Sequence, residues 1–243
     1  NAITLIGVCI GLSSIKFALD GKFALAVIGI LFAGLMDALD GRIARLIKGT
    51  SKMGKELDSL GDVISFGVAP AFIMYFWSLQ YLDKIGWFVC LIYVVCVALR
   101  LARFNVNSTE QPTWKDNFFE GVPAPAGGII VLMPLIFSFS GFGEIFFKIS
   151  YNLVVPTFFI TVSLLLISTI PTYSFKKIVI PRSMTKFLLF GIVLFFGALL
   201  VYTFKILAVS SFVYLCLIPI SYFHYKKIKK EKNITSDKDE GLE

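Results

Sequence analysis

The sequence has few charged residues for its length and only one histidine. Charged residues make up 16% of the 243 residues, while hydrophobic residues make up 57%. An average soluble domain carries about a quarter charged residues. This composition excludes a soluble globular domain, a coiled coil, a disordered chain and a repeat solenoid, and it indicates a protein that crosses a membrane several times. Because His224 is the only histidine, chemistry that needs a histidine pair is also excluded.

Paired cysteines and basic aromatic stripes are also lacking. No two cysteines form a C-x-x-C pair, and all four lie within apolar runs: Cys9, Cys90, Cys96 and Cys216. This placement favours small lipid-facing or core residues over a metal or redox site. No basic stripe has interleaved aromatic residues, so the sequence gives no support to nucleic-acid binding.

Runs without a charged residue predict the membrane spans, because a spanning helix needs about 20 mostly apolar residues. Eight such runs occur, at 1–15, 23–36, 63–82, 85–99, 121–143, 149–175, 187–204 and 206–223. The predicted fold is therefore all-α, a polytopic membrane bundle of eight transmembrane helices. We expect residues 1–225 to form one transmembrane domain and residues 226–243 to be a charged, disordered tail.

Lysine and arginine are unequally divided between the two sides of this predicted bundle. Of the 23 basic residues, 18 lie in the connections on one side and in the tail, whereas 4 lie on the other side. The positive-inside rule then places both termini in the cytoplasm.

Four aspartates recur at helical spacing on two neighbouring helices. Asp37 and Asp40 are three residues apart, and Asp58 and Asp62 are four apart on the next helix. Each pair therefore shares a helix face. Since a short basic loop makes the helices antiparallel, the four carboxylates can converge. The alternative, ion pairing of these aspartates with nearby Arg42, Arg45 and Lys55, fits a single pair better than four.

Convergent carboxylates in a membrane helix are a functional hypothesis by default. Their oxygens suit hard cations such as Mg²⁺ or Mn²⁺, and two such ions form the usual clamp for phosphoryl transfer. Gly41 and Ala44 continue the stripe of Asp37, and Gly54 precedes Asp58 by one turn, so a phosphate could approach the backbone. Asp37 lies about 22 Å along its helix, near the cytoplasmic headgroups, where a lipid diphosphate would lie.

Residues 37–62 read D-x2-D-G-x2-A-R-x8-G-x3-D-x3-D, and every position matches the signature of the CDP-alcohol phosphotransferases. The resemblance implies a core of six helices, a CDP-linked lipid donor, and a site for two divalent cations, Mg²⁺ or Mn²⁺. It implies metal binding by Asp37, Asp40, Asp58 and Asp62, with Asp62 as the general base. The CDP-lipid site that it implies comprises Asn1, Thr4, Asp40, Gly41, Ala44, Arg45 and Gly54.

Further stretches resemble the integral-membrane phosphatidylserine synthases within this family: residues 1–4, 65–71, 100–105 and 119–126. This resemblance implies CDP-diacylglycerol as donor, L-serine as acceptor, and a homodimer in a prokaryotic cytoplasmic membrane with a cytoplasmic active site. We expect Arg100, Arg103 and Asn105 to bind serine, because arginine binds carboxylates in a bidentate manner. Anchoring by the positive-inside rule is the alternative interpretation of both arginines.

Two alternative functions stay open at this point. Another member of the family could use glycerol phosphate, an inositol phosphate or choline as acceptor, or an archaeal lipid as donor. A cation transporter with an acidic site is the alternative from another class. The predicted depth of the aspartates argues against it, because transporter sites lie near the midplane of the bilayer.

Overall fold

The computed structural model describes residues 2–47, 52–107, 118–141, 151–173 and 184–239, and it is mainly helical. Helices α1 (Ala2–Leu19) and α2 (Phe23–Ile47) form an antiparallel hairpin. Gly21 ends the turn between them with a φ of 74°, a left-handed conformation that glycine adopts without strain. The two helices pack closely, since a Cβ on Gly29 would overlap with Ser14 Oγ.

The third predicted span is divided into three pieces that lead into the fourth. Helix α3 (Lys52–Asp62) passes into a π-helical segment (Val63–Val68) and then into α4 (Ala69–Trp77). A 3₁₀ turn (Leu79–Leu82) connects α4 to α5 (Asp83–Asn107). Met53–Trp77 is one helical stretch long and apolar enough to cross a membrane, as predicted for the run 63–82, but a π-helical segment interrupts its α-helical pattern and it ends at Trp77.

Pro70 accounts for part of this interruption. It has no backbone N–H, so one carbonyl in the preceding turn loses its donor. The hydroxyl of the fully buried Tyr93 on α5 donates instead to the carbonyl oxygen of Phe66 at 2.8 Å. The π-helical segment, which directly follows Asp62, is thereby tied to α5. Segments of this kind occur often at functional sites.

The next two predicted spans are also shorter as helices than the apolar runs. The run 121–143 contains α6 (Ala124–Val131) and α7 (Met133–Ser140), and the run 149–175 contains α8 (Tyr151–Ile167). Pro123 is the N-cap residue of α6, so this helix begins three residues after the start of the apolar run.

A two-stranded antiparallel sheet, which the sequence analysis missed, joins the ends of these helices. Strand β1 (Phe118–Glu120) pairs with β2 (Pro171–Tyr173), with Phe119 opposite Thr172. Each strand has three residues, too few for a period-two pattern to be recognised in the sequence.

The chain continues in α9 (Thr185–Val201) and α10 (Thr203–Asp239). Helix α10 passes without a break beyond residue 225, so the expectation of a disordered tail was wrong for residues 226–239. Lysine, which is frequent there, is a good helix former.

Five helical stretches within the described ranges are long and apolar enough to cross a membrane: Ala2–Leu19, Phe23–Ile43, Met53–Trp77, Leu79–Val106 and Thr203–Lys226. Leu153–Ile167 and Thr185–Val201 are shorter apolar helices. An all-α membrane bundle is therefore confirmed, whereas the eight spans and the cytoplasmic termini stay predictions. Around the fully buried Tyr93, Phe66 and Phe159, α5 packs against the π-helical segment and α8.

Candidate active site

The four aspartates of the signature converge between α2 and α3. The carboxyl groups of Asp37 and Asp58, on opposite helices, share a hydrogen bond. Asp40 lies within electrostatic range of both, and so does Asp62. All four side chains are only partly exposed. The predicted convergence of acidic groups from two helices is thus present in the structure.

Helix α1 positions both sides of this cluster. The hydroxyl of Thr4 donates to the carboxylate of Asp40 on α2. On α3, Gly61 lies directly against α1, since a Cβ there would be 3.1 Å from Val8 Cγ2. Because Gly61 immediately precedes Asp62, its close approach to α1 sets the position of that aspartate.

Gly41 leaves the helix backbone accessible beside the aspartates. It is exposed, and a Cβ built on it would meet no atom within 4 Å in the described part of the chain. Packing within the described structure therefore does not explain a glycine at this position, and the open backbone leaves room for a ligand. Gly54 lies on α3 and is partly exposed. Asn1 and the side chains of Ala44 and Arg45, the other predicted CDP-lipid contacts, lie outside the described structure.

The donor set of the cluster suits divalent cations. A hydrogen bond between two carboxyl groups needs a shared proton, and a hard cation with oxygen ligands can take the place of that proton. Within the described residues, no three acidic, cysteine or histidine side chains are arranged as a ready cage for one ion. Binding would therefore require the carboxylates of Asp37, Asp40 and Asp58 to rotate towards the ion.

Arg100 faces this cluster from α5. Its side chain is 7% exposed and interacts electrostatically with Asp62 and with Tyr214 of α10. Its Nε atom has no hydrogen-bond partner among the described residues. Of the three predicted serine-binding residues, Arg100 is therefore the one that the structure brings to the proposed base.

The other two predicted serine-binding residues make contacts within the protein. Arg103 donates from Nη1 to the carbonyl of Ile167 at 2.7 Å and from Nη2 to that of Ser168 at 3.1 Å. It thus caps the end of α8, a contact that sequence spacing did not indicate. Asn105 Nδ2 donates to Ser59 Oγ at 2.8 Å and ties α5 to α3. Serine binding by these two residues stays a prediction.

Sequence reasoning missed Tyr214, because the run 206–223 was predicted only as a membrane span. The available signal was polar residues at helical spacing on an apolar helix, since Ser211 and Ser221 lie on the same side of α10 as Tyr214. Ser211 and Ser221 are buried, and their hydroxyls have no hydrogen-bond partner in the described structure.

Comparison with known proteins identifies the class. The family model described as CDP-alcohol phosphatidyltransferase matches residues 1–170, which include the four aspartates, Arg100 and β1. The chain belongs to this family.

Named relatives narrow the comparison within that family. The chain is 35% identical to the CDP-diacylglycerol–serine O-phosphatidyltransferase of Mycobacterium tuberculosis, over 98% of this chain and 82% of that protein. It is 34% identical to the Helicobacter pylori protein of that name, over 73% of each chain. The Saccharomyces cerevisiae protein of that name is 41% identical over 49% of this chain and 45% of its own length.

Proposed function

We propose that this protein transfers the phosphatidyl group of CDP-diacylglycerol to the hydroxyl of L-serine, forming phosphatidylserine and releasing CMP. The observation that carries the proposal is the convergence of Asp37, Asp40, Asp58 and Asp62 in a chain of this family. The similarity to enzymes named for this reaction, over nearly the whole chain in one case, supports the choice of substrates.

The aspartates divide into two tasks in this proposal. Asp37, Asp40 and Asp58 would hold two Mg²⁺ or Mn²⁺ ions, with Asp62 as an additional ligand to one of them. When bound, such ions stabilise the negative charge of the diphosphate and of the leaving CMP. The hydrogen bond from Thr4 holds Asp40 on the side where the nucleotide would bind.

Asp62 acts as the general base. It accepts the proton of the serine hydroxyl, and the serine oxygen attacks the phosphorus next to diacylglycerol. The bond from that phosphorus to the CMP oxygen breaks on the opposite side, as in-line displacement requires. Arg100, which lies near Asp62, supplies the positive charge for the carboxylate of the acceptor.

The acceptor distinguishes this proposal from other reactions of the family. A sugar phosphate carries more negative charge than serine and would need further basic side chains near Asp62. In the described structure, Arg100 is the basic side chain that interacts with the charge of Asp62. This buried arginine fits the single carboxylate of an amino acid.

Release of CMP from purified protein in detergent micelles tests the proposal directly. We expect CMP to be released from CDP-diacylglycerol when both serine and Mn²⁺ or Mg²⁺ are present, and not when glycerol 3-phosphate or inositol phosphate replaces serine. Asp37→Asn should abolish release. Asp83→Asn is the matched control, because Asp83 is exposed at the start of α5. Release that is independent of serine, or faster with another acceptor, would overturn the assignment.

We also propose that the protein is a homodimer in a prokaryotic cytoplasmic membrane, with its site on the cytoplasmic side. The uneven distribution of basic residues supports this orientation. Labelling of a cysteine introduced near Gly41 should then require permeabilised cells, and chemical crosslinking in membranes should trap a dimer.

A further inference from the structure

Arg100 and Tyr214 each bury a polar atom that no hydrogen bond within the described residues satisfies. The Nε of Arg100 has no hydrogen-bond partner in the described structure. The Tyr214 hydroxyl is also buried, and it adjoins the Thr172 hydroxyl without the geometry of a full hydrogen bond. A buried donor without a partner destabilises the folded protein, so such groups are rare in native structures and need an explanation. Two of them side by side indicate a ligand.

The charges around this pair favour an anionic ligand. Arg100 interacts with Asp62, Tyr214 and Arg103. The guanidinium of Arg103 is already bonded to the end of α8. Arg100 is therefore the cation of this group that keeps its hydrogen-bonding capacity for an incoming carboxylate.

The hydroxyl of Tyr214 is placed by the small sheet. Thr172 on β2 donates to the carbonyl of Gly121 at 2.7 Å, which fixes the direction of its own hydroxyl. Tyr214 of α10 lies beside Thr172 and interacts electrostatically with Arg100. Because its hydroxyl is buried and has no hydrogen-bond partner in the described structure, its proton is available to an acceptor near Arg100.

We infer that Tyr214 and Arg100 together form the subsite for the carboxylate of the amino-acid acceptor, with Tyr214 donating a hydrogen bond to the oxygen beside the one that Arg100 binds. This inference rests on the proposed function. In serine, two carbon atoms separate the carboxyl carbon from the hydroxyl oxygen. One short molecule can therefore bind Arg100 with its carboxylate and present its hydroxyl to Asp62.

The location of Tyr214 separates acceptor selection from the chemistry. Tyr214 lies on α10, beyond the residues 1–170 that the family model matches, whereas the four aspartates lie within them. The proposed subsite thus joins Arg100, inside the matched residues, to Tyr214, outside them.

The Tyr214→Phe variant tests the inference, because it removes only the hydroxyl. We expect the KM for serine to rise about tenfold, as for the loss of one hydrogen bond to a charged group, with kcat at saturating serine within about twofold. Tyr222→Phe on the same helix is the matched control, since Tyr222 is 44% exposed. Its KM should not change.

Ethanolamine, which lacks the carboxylate of serine, provides a readout that a purely structural role would not change. Tyr214→Phe should reduce the ratio of kcat/KM for serine to kcat/KM for ethanolamine about tenfold. If this variant does not fold, Tyr214→His, which keeps a ring and a donor, allows the same comparison and should keep more of the preference.

The outcomes separate the two proposals. Serine-dependent CMP release by the unaltered protein decides the proposed function. If that release occurs and Tyr214→Phe has the serine KM of Tyr222→Phe, or loses rate equally with both acceptors, the carboxylate subsite is refuted while the function stands.

Discussion

Replacement of Gly41 by alanine separates ligand approach from packing in this protein. A Cβ at Gly41 would meet no atom within 4 Å in the described structure, so alanine fits there without displacing a neighbour. In a helix interior, alanine is more favourable than glycine by about 0.5–1 kcal/mol. We therefore expect Gly41→Ala to raise the free energy of unfolding slightly while it lowers turnover.

The size of the loss follows from the geometry. A methyl group on this open backbone would displace a bound phosphate by about 1 Å, and misplacement on that scale costs about 100-fold in rate. The corresponding increase in the activation free energy is about 2.7 kcal/mol. Turnover of Gly41→Ala should thus fall about 100-fold in the CMP-release assay.

Gly197→Ala on α9 is the matched control. Gly197 also lies within a helix, and a Cβ there would meet nothing within 4 Å. In detergent, the Gly197→Ala variant should show a similar increase in the free energy of unfolding, and it should keep full turnover. If Gly41→Ala is as active as Gly197→Ala, the open backbone at Gly41 does not serve ligand approach.

Three further substitutions test individual contacts. Tyr93→Phe should lower the free energy of unfolding by about 1–3 kcal/mol, because it leaves the buried carbonyl of Phe66 without its donor. Tyr81→Phe, at an exposed tyrosine, should leave the free energy of unfolding unchanged. Equal stability of the two variants would contradict this account. Asp62→Asn should reduce turnover about 10²- to 10⁴-fold while Mn²⁺ binding in calorimetry persists; near-normal turnover would refute its role as base. Arg103→Gln should lower the free energy of unfolding by about 1–3 kcal/mol, because it loses the hydrogen bonds to the end of α8. If the variant unfolds at the same temperature as the unaltered protein, these hydrogen bonds do not stabilise the fold.

Sequence spacing was sufficient for contacts along one helix. Asp37 with Asp40, and Asp58 with Asp62, share faces because the helical repeat is close to four residues. The class of protein followed from composition, because several apolar runs near the length that spans a bilayer indicate membrane helices.

Contacts between distant residues were not predictable in this way. Arg103 caps α8 across 64 residues of sequence, and an arginine at the end of an apolar run looks the same whether it anchors the helix, binds a ligand or caps another helix. The π-helical segment escaped prediction for a related reason. Pro70 indicates a lost hydrogen bond, but only the position of Tyr93 shows how the orphaned carbonyl of Phe66 is satisfied.

The amino-acid order alone determined that the chain crosses a membrane and that two adjacent helices each present a pair of carboxylates on one face. These properties depend on local composition and on the fixed geometry of the helix. The tertiary structure decided which groups from remote helices reach those carboxylates: Thr4 from α1, Arg100 from α5, and Tyr214 from α10 beside it. Such meetings depend on how whole helices pack against one another, and no spacing within a single segment encodes that packing.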